Sequence, residues 1–389
     1  MKTAGVVCEY NPFHNGHVYH LNAARQAGAT HIVAAMSGNF VQRGSGAFCD
    51  QWSRARAAVR CGADLVLELG VPFSCASAGV FARGAVELLD AFGIDFLTFG
   101  AETDDLALLQ SAADAAQSDD VQKEIRRLHA LGTAYPAAVQ EAVGSQWGKK
   151  TAEVLASPNN TLAVEYLKAA KALNAAFSFL PVKRVGAAHD AADSSGKYAS
   201  AGAIREMKDP KQMRPFMPPD AFEELFSAKT LFFDPTAFET AALCALRTMT
   251  QAEMEQMIPD ESGLASRIFA ASRSAACLEA LYDAAKTKSI TMAKVRRAVL
   301  HCFLKIDKNR QKQSPPYLRV LAVNARGLEL LHTSAPRLPL VTKHKEVLAL
   351  SGEAQAYYAL QCRCSDLYTA LCSPRGVPGL EQTACMQIL

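Results

Sequence analysis

Glu9-Tyr10-Asn11-Pro12-Phe13-His14-Asn15-Gly16-His17 follows directly on the apolar run Ala4-Gly5-Val6-Val7-Cys8. The run has the length and branched content of a buried strand, and the loop after it opens a helix near Gly16. The first N–H groups of a helix have no partner within it, so such a turn aims unpaired donors above the strand's carboxyl end. Anions bind there. Gly16 carries no side chain to block the approach of a nucleotide to the backbone, and His14 and His17 fall on one side of the first helical turn. Alone, the pair also fits a metal-site fragment or two surface histidines; its place at the first turn of an alternating chain favours a nucleotide.

The alternation continues outward. Residues 4–8, 31–36, 64–69 and 95–99 read as short buried strands, and 18–27, 51–61 and 74–92 as helices. This spacing predicts βαβ units, a mainly parallel sheet, and strand-to-helix loops gathered on one edge. A pair of helices is expected over 109–143, a helix capped by Ser157 over 158–172, and a strand over 177–185. Ser200 opens a further helix. Pro210, Pro215, Pro218 and Pro219 mark a boundary near residue 218. Beyond it, 219–331 reads as helices, including 237–249, 253–257, 263–272, 277–285 and a basic one over 291–304. The expected architecture is therefore an α/β catalytic domain over 1–218 and a mainly helical domain over 219–389.

At 389 residues the chain exceeds a single ordinary core, and with 50% hydrophobic and 20% charged residues it reads as a folded globular protein. No apolar run reaches membrane length and the opening Met-Lys-Thr lacks a secretory pattern, so the cytoplasm is the expected address. Eleven irregularly spaced cysteines read as free thiols in a reducing compartment, and Cys362, Cys364, Cys372 and Cys385 as packing residues rather than a metal site. The net charge of +3 is small, but 286–319 carries Lys286, Lys288, Lys294, Arg296, Arg297, Lys305, Lys308, Arg310, Lys312 and Arg319 against Asp307 alone. That concentration suits an anionic polymer.

Other polar groups fall on the same predicted sheet edge. The loop Ser37 to Gly44 brings Gln42 and Arg43, which can meet phosphate, a second substrate or RNA, or simply face solvent. Gly100 lets backbone approach a base or ribose. Asn159 and Asn160 are helix caps or readers of adenine and ribose edges, and Arg184 is a phosphate fork or a structural ion-pair partner.

Taken in order, the nonapeptide at Glu9, Ser37-Gly-x-Phe-Val-Gln-Arg-Gly44, Ala63-Asp-Leu-Val-Leu-Glu68, Phe99-Gly-x-Glu102, Pro158-Asn-Asn160, Glu165-Tyr-Leu-Lys168, Lys183-Arg-Val185, Ala199-Ser-Ala-x-Ala-Ile-Arg205 and Lys286-Thr-Lys288 resemble the bacterial tRNA(Met) cytidine acetate ligase family. The resemblance implies a nucleotidyltransferase-like α/β domain of the HxGH class followed by helices. It implies activation of acetate by ATP to acetyl-adenylate, with loss of pyrophosphate, and transfer of the acetyl group to N4 of the wobble cytidine (C34) of elongator tRNA(Met). Mg²⁺ is expected with the pyrophosphate, without a protein-built cage.

By the same resemblance ATP contacts carry over onto Val7, Cys8, Glu9, Tyr10, Asn11, Pro12, Phe13, His14, Asn15, Gly16, His17, Val18, Tyr19 and His20, with Gly100, Asn159 or Asn160, and Arg184. His14 and His17 are the expected catalytic donors, Ser200 and Arg205 further phosphate contacts. Gln42, Arg43, Lys286, Lys288, Lys294, Arg296 and Arg297 are the expected tRNA contacts. Two segments depart from the family pattern. Ser45-Gly46-Ala47 stands where Glu-Pro-Ala is usual, and Gly70 displaces a proline now at Pro72. Both are expected on loops at the active edge, bearing on acetate or tRNA positioning. Two other functions fit the residues: transfer of AMP to a small phosphorylated acceptor, and non-catalytic RNA binding. The basic helical half weighs against the first, the paired histidines with Gly16 against the second.

Overall fold

The computed structural model describes residues 1–184, 197–258 and 262–389. Seven consecutive buried residues in His31–Ser37 mark a strand covered on both faces, as a parallel sheet requires. This strand, β2, pairs in parallel with β1 (Thr3–Cys8), from Thr3 opposite His31 to Cys8 opposite Met36. On its far side it pairs in parallel with β3 (Leu65–Leu69). Beyond β1 lie β4 (Phe96–Ala101) and β5 (Ser178–Lys183), also parallel. The connections are α1 (Asn15–Gln26), α2 (Gln51–Arg60), α3 (Ala78–Phe92) and α4 (Pro158–Ala172). Expected strands and helices in this half match within a few residues; the expected end of β5 at Val185 lies outside the described residues.

Two local expectations need correction. The pair of helices expected over 109–143 is four, Leu106–Gln117, Asp119–Ala130, Tyr135–Trp147 and Lys149–Val154. They close on a small core of Val121, Ile125, Leu128, Ala138 and Val143. Ser37 to Gly44 is not a plain loop. It holds a short hairpin in which Phe40–Val41 pairs with Ser45–Gly46.

The larger correction concerns 219–331. Helices fill most of it, among them Pro235–Thr248, Leu264–Ser274 and Leu278–Ala285, after α5 (Ala201–Glu206) and before α6 (Met292–Leu304). Leu318–Val323, however, is a fully buried strand, β6, lying antiparallel beside β3. β7 (Leu340–Val341) and β8 (Gln387–Ile388) pair with β6, giving the order β7-β6-β3-β2-β1-β4-β5 with β8 off β6. The sheet thus draws on both sides of residue 218. Leu-Arg-Val-Leu-Ala-Val is a strand-like run, and its arginine belongs to the core rather than to an RNA-facing stripe. Arg319 is 3% exposed, with Nη2 2.8 Å from Glu381 Oε2 and Nε 3.6 Å from Glu68 Oε2.

The helical segment packs its apolar faces on Leu360, Cys364 and Tyr368 of α7 (Gly352–Ala370), and reaches Phe40, Val71 and Cys75 at the carboxyl edge of the sheet. This contact brings α6 over the turn that follows β1. Gly44 lies against α6 so closely that a Cβ there would stand 2.7 Å from the backbone of Arg296 and Arg297. Among the described residues no helix is long and apolar enough to cross a membrane.

Candidate active site

The turn after β1 is held by its own histidines. His14 is the N-cap of α1, and its Nδ1 accepts a hydrogen bond from Gly16 N at 3.0 Å; His17 Nδ1 accepts from His14 N at 3.1 Å. This is a capping box built from imidazoles instead of Ser and Glu. Because both Nδ1 atoms accept, both rings carry their proton on Nε2, which meets no acceptor among the described residues. The rings stack 3.7 Å apart at 25°. A Cβ on Gly16 would lie 2.9 Å from His14 Cε1, so the glycine first of all makes room for the histidine.

Burial, then the nearby Arg184 and Arg205, push the His14 pKa down to about 3. Burial and the neighbouring His14 and His20 hold His17 well below its ordinary value, and burial with Arg184 brings His20 to about 4. All three are neutral near pH 7. They donate hydrogen bonds without charge, while His20 Nε2 pairs with Thr98 Oγ1 on β4 at 2.9 Å.

These residues face a cavity of about 670 Å³ above the carboxyl ends of β1, β4 and β5. Val7, Cys8, Glu9, Tyr10, Asn11, His14, Gly16, His17, Tyr19 and His20 line it. Pro12, Phe13, Asn15 and Val18 do not. Phe13 is wholly buried against Tyr10 and His17, and Asn15 Nδ2 donates to Lys197 O and Pro215 O, so these residues support the turn from behind.

On the β4 side Gly100 leaves backbone open, a Cβ there meeting only Arg184 Cγ at 3.6 Å. The asparagine pair divides. Asn160 is 4% exposed and its Oδ1 accepts from Glu102 N at 2.8 Å and Thr103 N at 3.3 Å, a staple between β4 and α4. Asn159 lines the cavity, donating to Glu102 Oε1 at 2.6 Å and accepting from Arg184 Nη1 at 3.4 Å. Ser200 caps α5 and lines the cavity, whereas Arg205 donates to Asn11 O and fixes the turn from below.

From the opposite wall Gln42 and Arg43 on the hairpin converge with Arg296 and Arg297 on α6. Lys286, Lys288 and Lys294 lie off the cavity, the first two exposed. The departures from the family pattern lie away from it too. A Cβ on Gly46 would stand 2.2 Å from the Phe233 ring, and one on Gly70 2.6 Å from Gln361 Oε1. They sit at the carboxyl edge of the sheet, in the hairpin after β2 and directly after β3, but pack against the later part of the chain rather than line the cavity.

Sequence reading missed Arg54. Wholly buried within α2, it donates to Cys49 O at 2.9 Å, Glu9 O at 2.6 Å, Ser37 O at 3.0 Å and Gly38 O. One guanidinium thereby ties together the loops after β1 and β2 and the start of α2. The available signal was a charge in a helix stretch where Trp52, Ala55 and Ala58 face the core.

A family model described as HIGH Nucleotidyl Transferase matches residues 1–379. A tRNA(Met) cytidine acetate ligase of Caldicellulosiruptor saccharolyticus is 32% identical over 377 residues, 95% of this chain and 94% of that protein. One from Syntrophotalea carbinolica is 36% identical over 356 residues, 88% of this chain and 85% of that protein. The chain belongs to the tRNA(Met) cytidine acetate ligase family. Among solved structures, apo Thermotoga maritima TmcAL (form I) superposes with a TM-score of 0.91 at 29% identity, all of both chains being covered. The same protein bound with alpha-thio ATP (form II) gives 0.87 at 30% identity, again over both whole chains. Membership in the tRNA(Met) cytidine acetate ligase family agrees with the parallel sheet, the HxGH turn and the resemblance read from the motifs.

Proposed function

We propose that the cavity above β1 binds ATP and acetate, joins them as acetyl-adenylate with release of pyrophosphate, and passes the acetyl group to N4 of the wobble cytidine of elongator tRNA(Met). One observation carries the reading: two neutral imidazoles, each with Nδ1 held by a backbone N–H and Nε2–H left as the donor, stand at the start of a helix on a cavity large enough for a nucleotide. Attack of acetate on the α-phosphorus builds charge on the transferring group and on pyrophosphate. Fixed donors that need no reorientation lower that barrier. Arg184 and Ser200 suit the phosphates, and Asn159 with the open backbone at Gly100 suits the nucleoside.

Arg43, Arg296 and Arg297 line the cavity beside the helical segment, and with Lys286, Lys288 and Lys294 they suit the phosphates of tRNA. In this division residues within 1–218 supply the chemistry, and the helical part of 219–389, together with Gln42 and Arg43, contributes RNA binding. The cytoplasm, where tRNA is found, is the matching compartment. Mg²⁺ would travel on the triphosphate. Among the described residues no group of three or more His, Cys, Asp or Glu side chains could hold a metal ion.

The test incubates purified protein with ATP, acetate and tRNA(Met) transcript and looks for N4-acetylcytidine by mass spectrometry. Acetylation dependent on all three components supports the reading. Transfer of AMP to a small acceptor, or tRNA binding with no ATP turnover, would replace it by the corresponding alternative.

A further inference from the structure

Among the described residues that line the cavity Glu9 is the single acidic side chain, set among Arg43, Lys183, Arg184, Arg296 and Arg297. A carboxylate in a pocket for a triphosphate and an acetate opposes both ligands by like charge. This one is nevertheless held firmly. Its Oε1 accepts from Gln42 N at 3.0 Å, and its own carbonyl accepts from Arg54 Nη1 at 2.6 Å. Its Oε2 accepts no hydrogen bond from the described residues.

We propose that Glu9 is the base that removes the N4 proton during acetyl transfer, an inference that rests on the ligase reading above. The N4 lone pair attacks the acetyl carbonyl carbon and a C–N bond forms. The C–O bond to the adenylate phosphate breaks, AMP leaves with the electron pair, and the N4 proton passes to the Glu9 carboxylate. The cytidine amine is barely basic because its lone pair is delocalised into the ring; it becomes acidic as the C–N bond forms, so a neighbouring acceptor helps most in that transition state.

Other lining groups fit the task less well. His14 and His17 have Nδ1 engaged by backbone N–H groups and a proton on Nε2. His20 Nε2 is paired with Thr98. The lysine and arginine side chains offer donors and no acceptor, and burial pushes the Tyr166 phenol up and away from proton acceptance. Burial also raises Glu9 above the usual carboxylate range, against lowering by the Gln42 N–H and by Arg205, Arg54 and Arg43, which strengthens it as a base. Cys8 and Tyr166 are the other titratable groups that sense its charge.

The experiment compares wild type with Glu9→Gln, whose amide oxygen can still accept from Gln42 N, and with Glu9→Asp. Two half-reactions are read: acetate-dependent exchange of labelled pyrophosphate into ATP, and single-turnover acetyl transfer after mixing preloaded enzyme with tRNA(Met). Expected for Glu9→Gln is a fall in transfer about 10²-fold larger than any fall in exchange, within the range for a lost proton acceptor. The rise of transfer rate with pH should vanish too, and Glu9→Asp should recover part of both. Equal falls in the two half-reactions, or transfer that keeps its wild-type pH profile, overturn the role of Glu9. Absence of exchange in wild type overturns the ligase reading instead, so the two failures are told apart.

Discussion

Arg54→Met tests whether one buried guanidinium organises the catalytic edge. Methionine is of similar length and fills the space without a donor. The substitution leaves the carbonyls of Cys49, Glu9, Ser37 and Gly38 without their shared partner. Each bond to a charged donor is worth about 1.5–3 kcal/mol, so the four together come to about 6–12 kcal/mol. Desolvating the guanidinium offsets several kcal/mol of that sum. The net loss worked from these magnitudes is about 3–5 kcal/mol, a large part of an ordinary domain's stability. Urea denaturation followed by circular dichroism should show a lower midpoint with an unchanged slope. Arg54→Lys should recover little, because one ammonium cannot span four carbonyls fixed on three segments. A loss below about 1 kcal/mol for Arg54→Met, well under one charge-assisted bond, would refute the argument.

The divided asparagine pair gives opposite signatures. Asn160→Ala should lower stability by about 1–3 kcal/mol, since Glu102 N and Thr103 N lose their acceptor, whereas Asn159→Ala should weaken ATP binding in calorimetry with little change in melting temperature. The reverse pattern would reassign them. The three depressed histidines set a pH response: the unfolded chain takes up their protons near pH 6.5 and the folded one only near 3 to 4 for His14 and His20. Their contribution is therefore complete above about pH 6.5 and lost as pH falls below it. Glu68, held high by burial and the Glu381 charge, pulls the other way, so the effect is read as the difference between the melting profiles of wild type and His20→Gln. Identical profiles between pH 7.5 and 5 would reject it. Replacing Arg296 with Ala should weaken tRNA binding and flatten its log-log salt slope by about 0.7–1, with an unaltered slope placing the RNA elsewhere.

The parallel half was legible because its signals are local. Buried parallel strands are continuous apolar runs, and the His14-Asn15-Gly16-His17 turn shows its chemistry in four adjacent residues. The antiparallel strand Leu318–Val323 was hidden because Arg319 joined it to a basic run, and only the fold reveals that Glu68 and Glu381 lie ready to receive that charge. Position within the site was harder to read than composition. Asn159 and Asn160 are chemically identical neighbours, yet about 100° of helical rotation sends one to the cavity and the other to the β4 backbone. Gly46 and Gly70 showed as departures in sequence, while their reason, the Phe233 ring and the Gln361 amide, lies far along the chain. Long-range partners of this kind leave no periodicity to read.

Exchange of labelled pyrophosphate into ATP, run with and without acetate, tests the activation of acetate above β1 most directly. Wild type should exchange only when acetate is present, and His17→Ala should lower the rate by about 10²- to 10³-fold, the loss of one transition-state donor, while its melting curve stays cooperative. Exchange that ignores acetate, or an undiminished rate in a folded His17→Ala protein, would contradict the account.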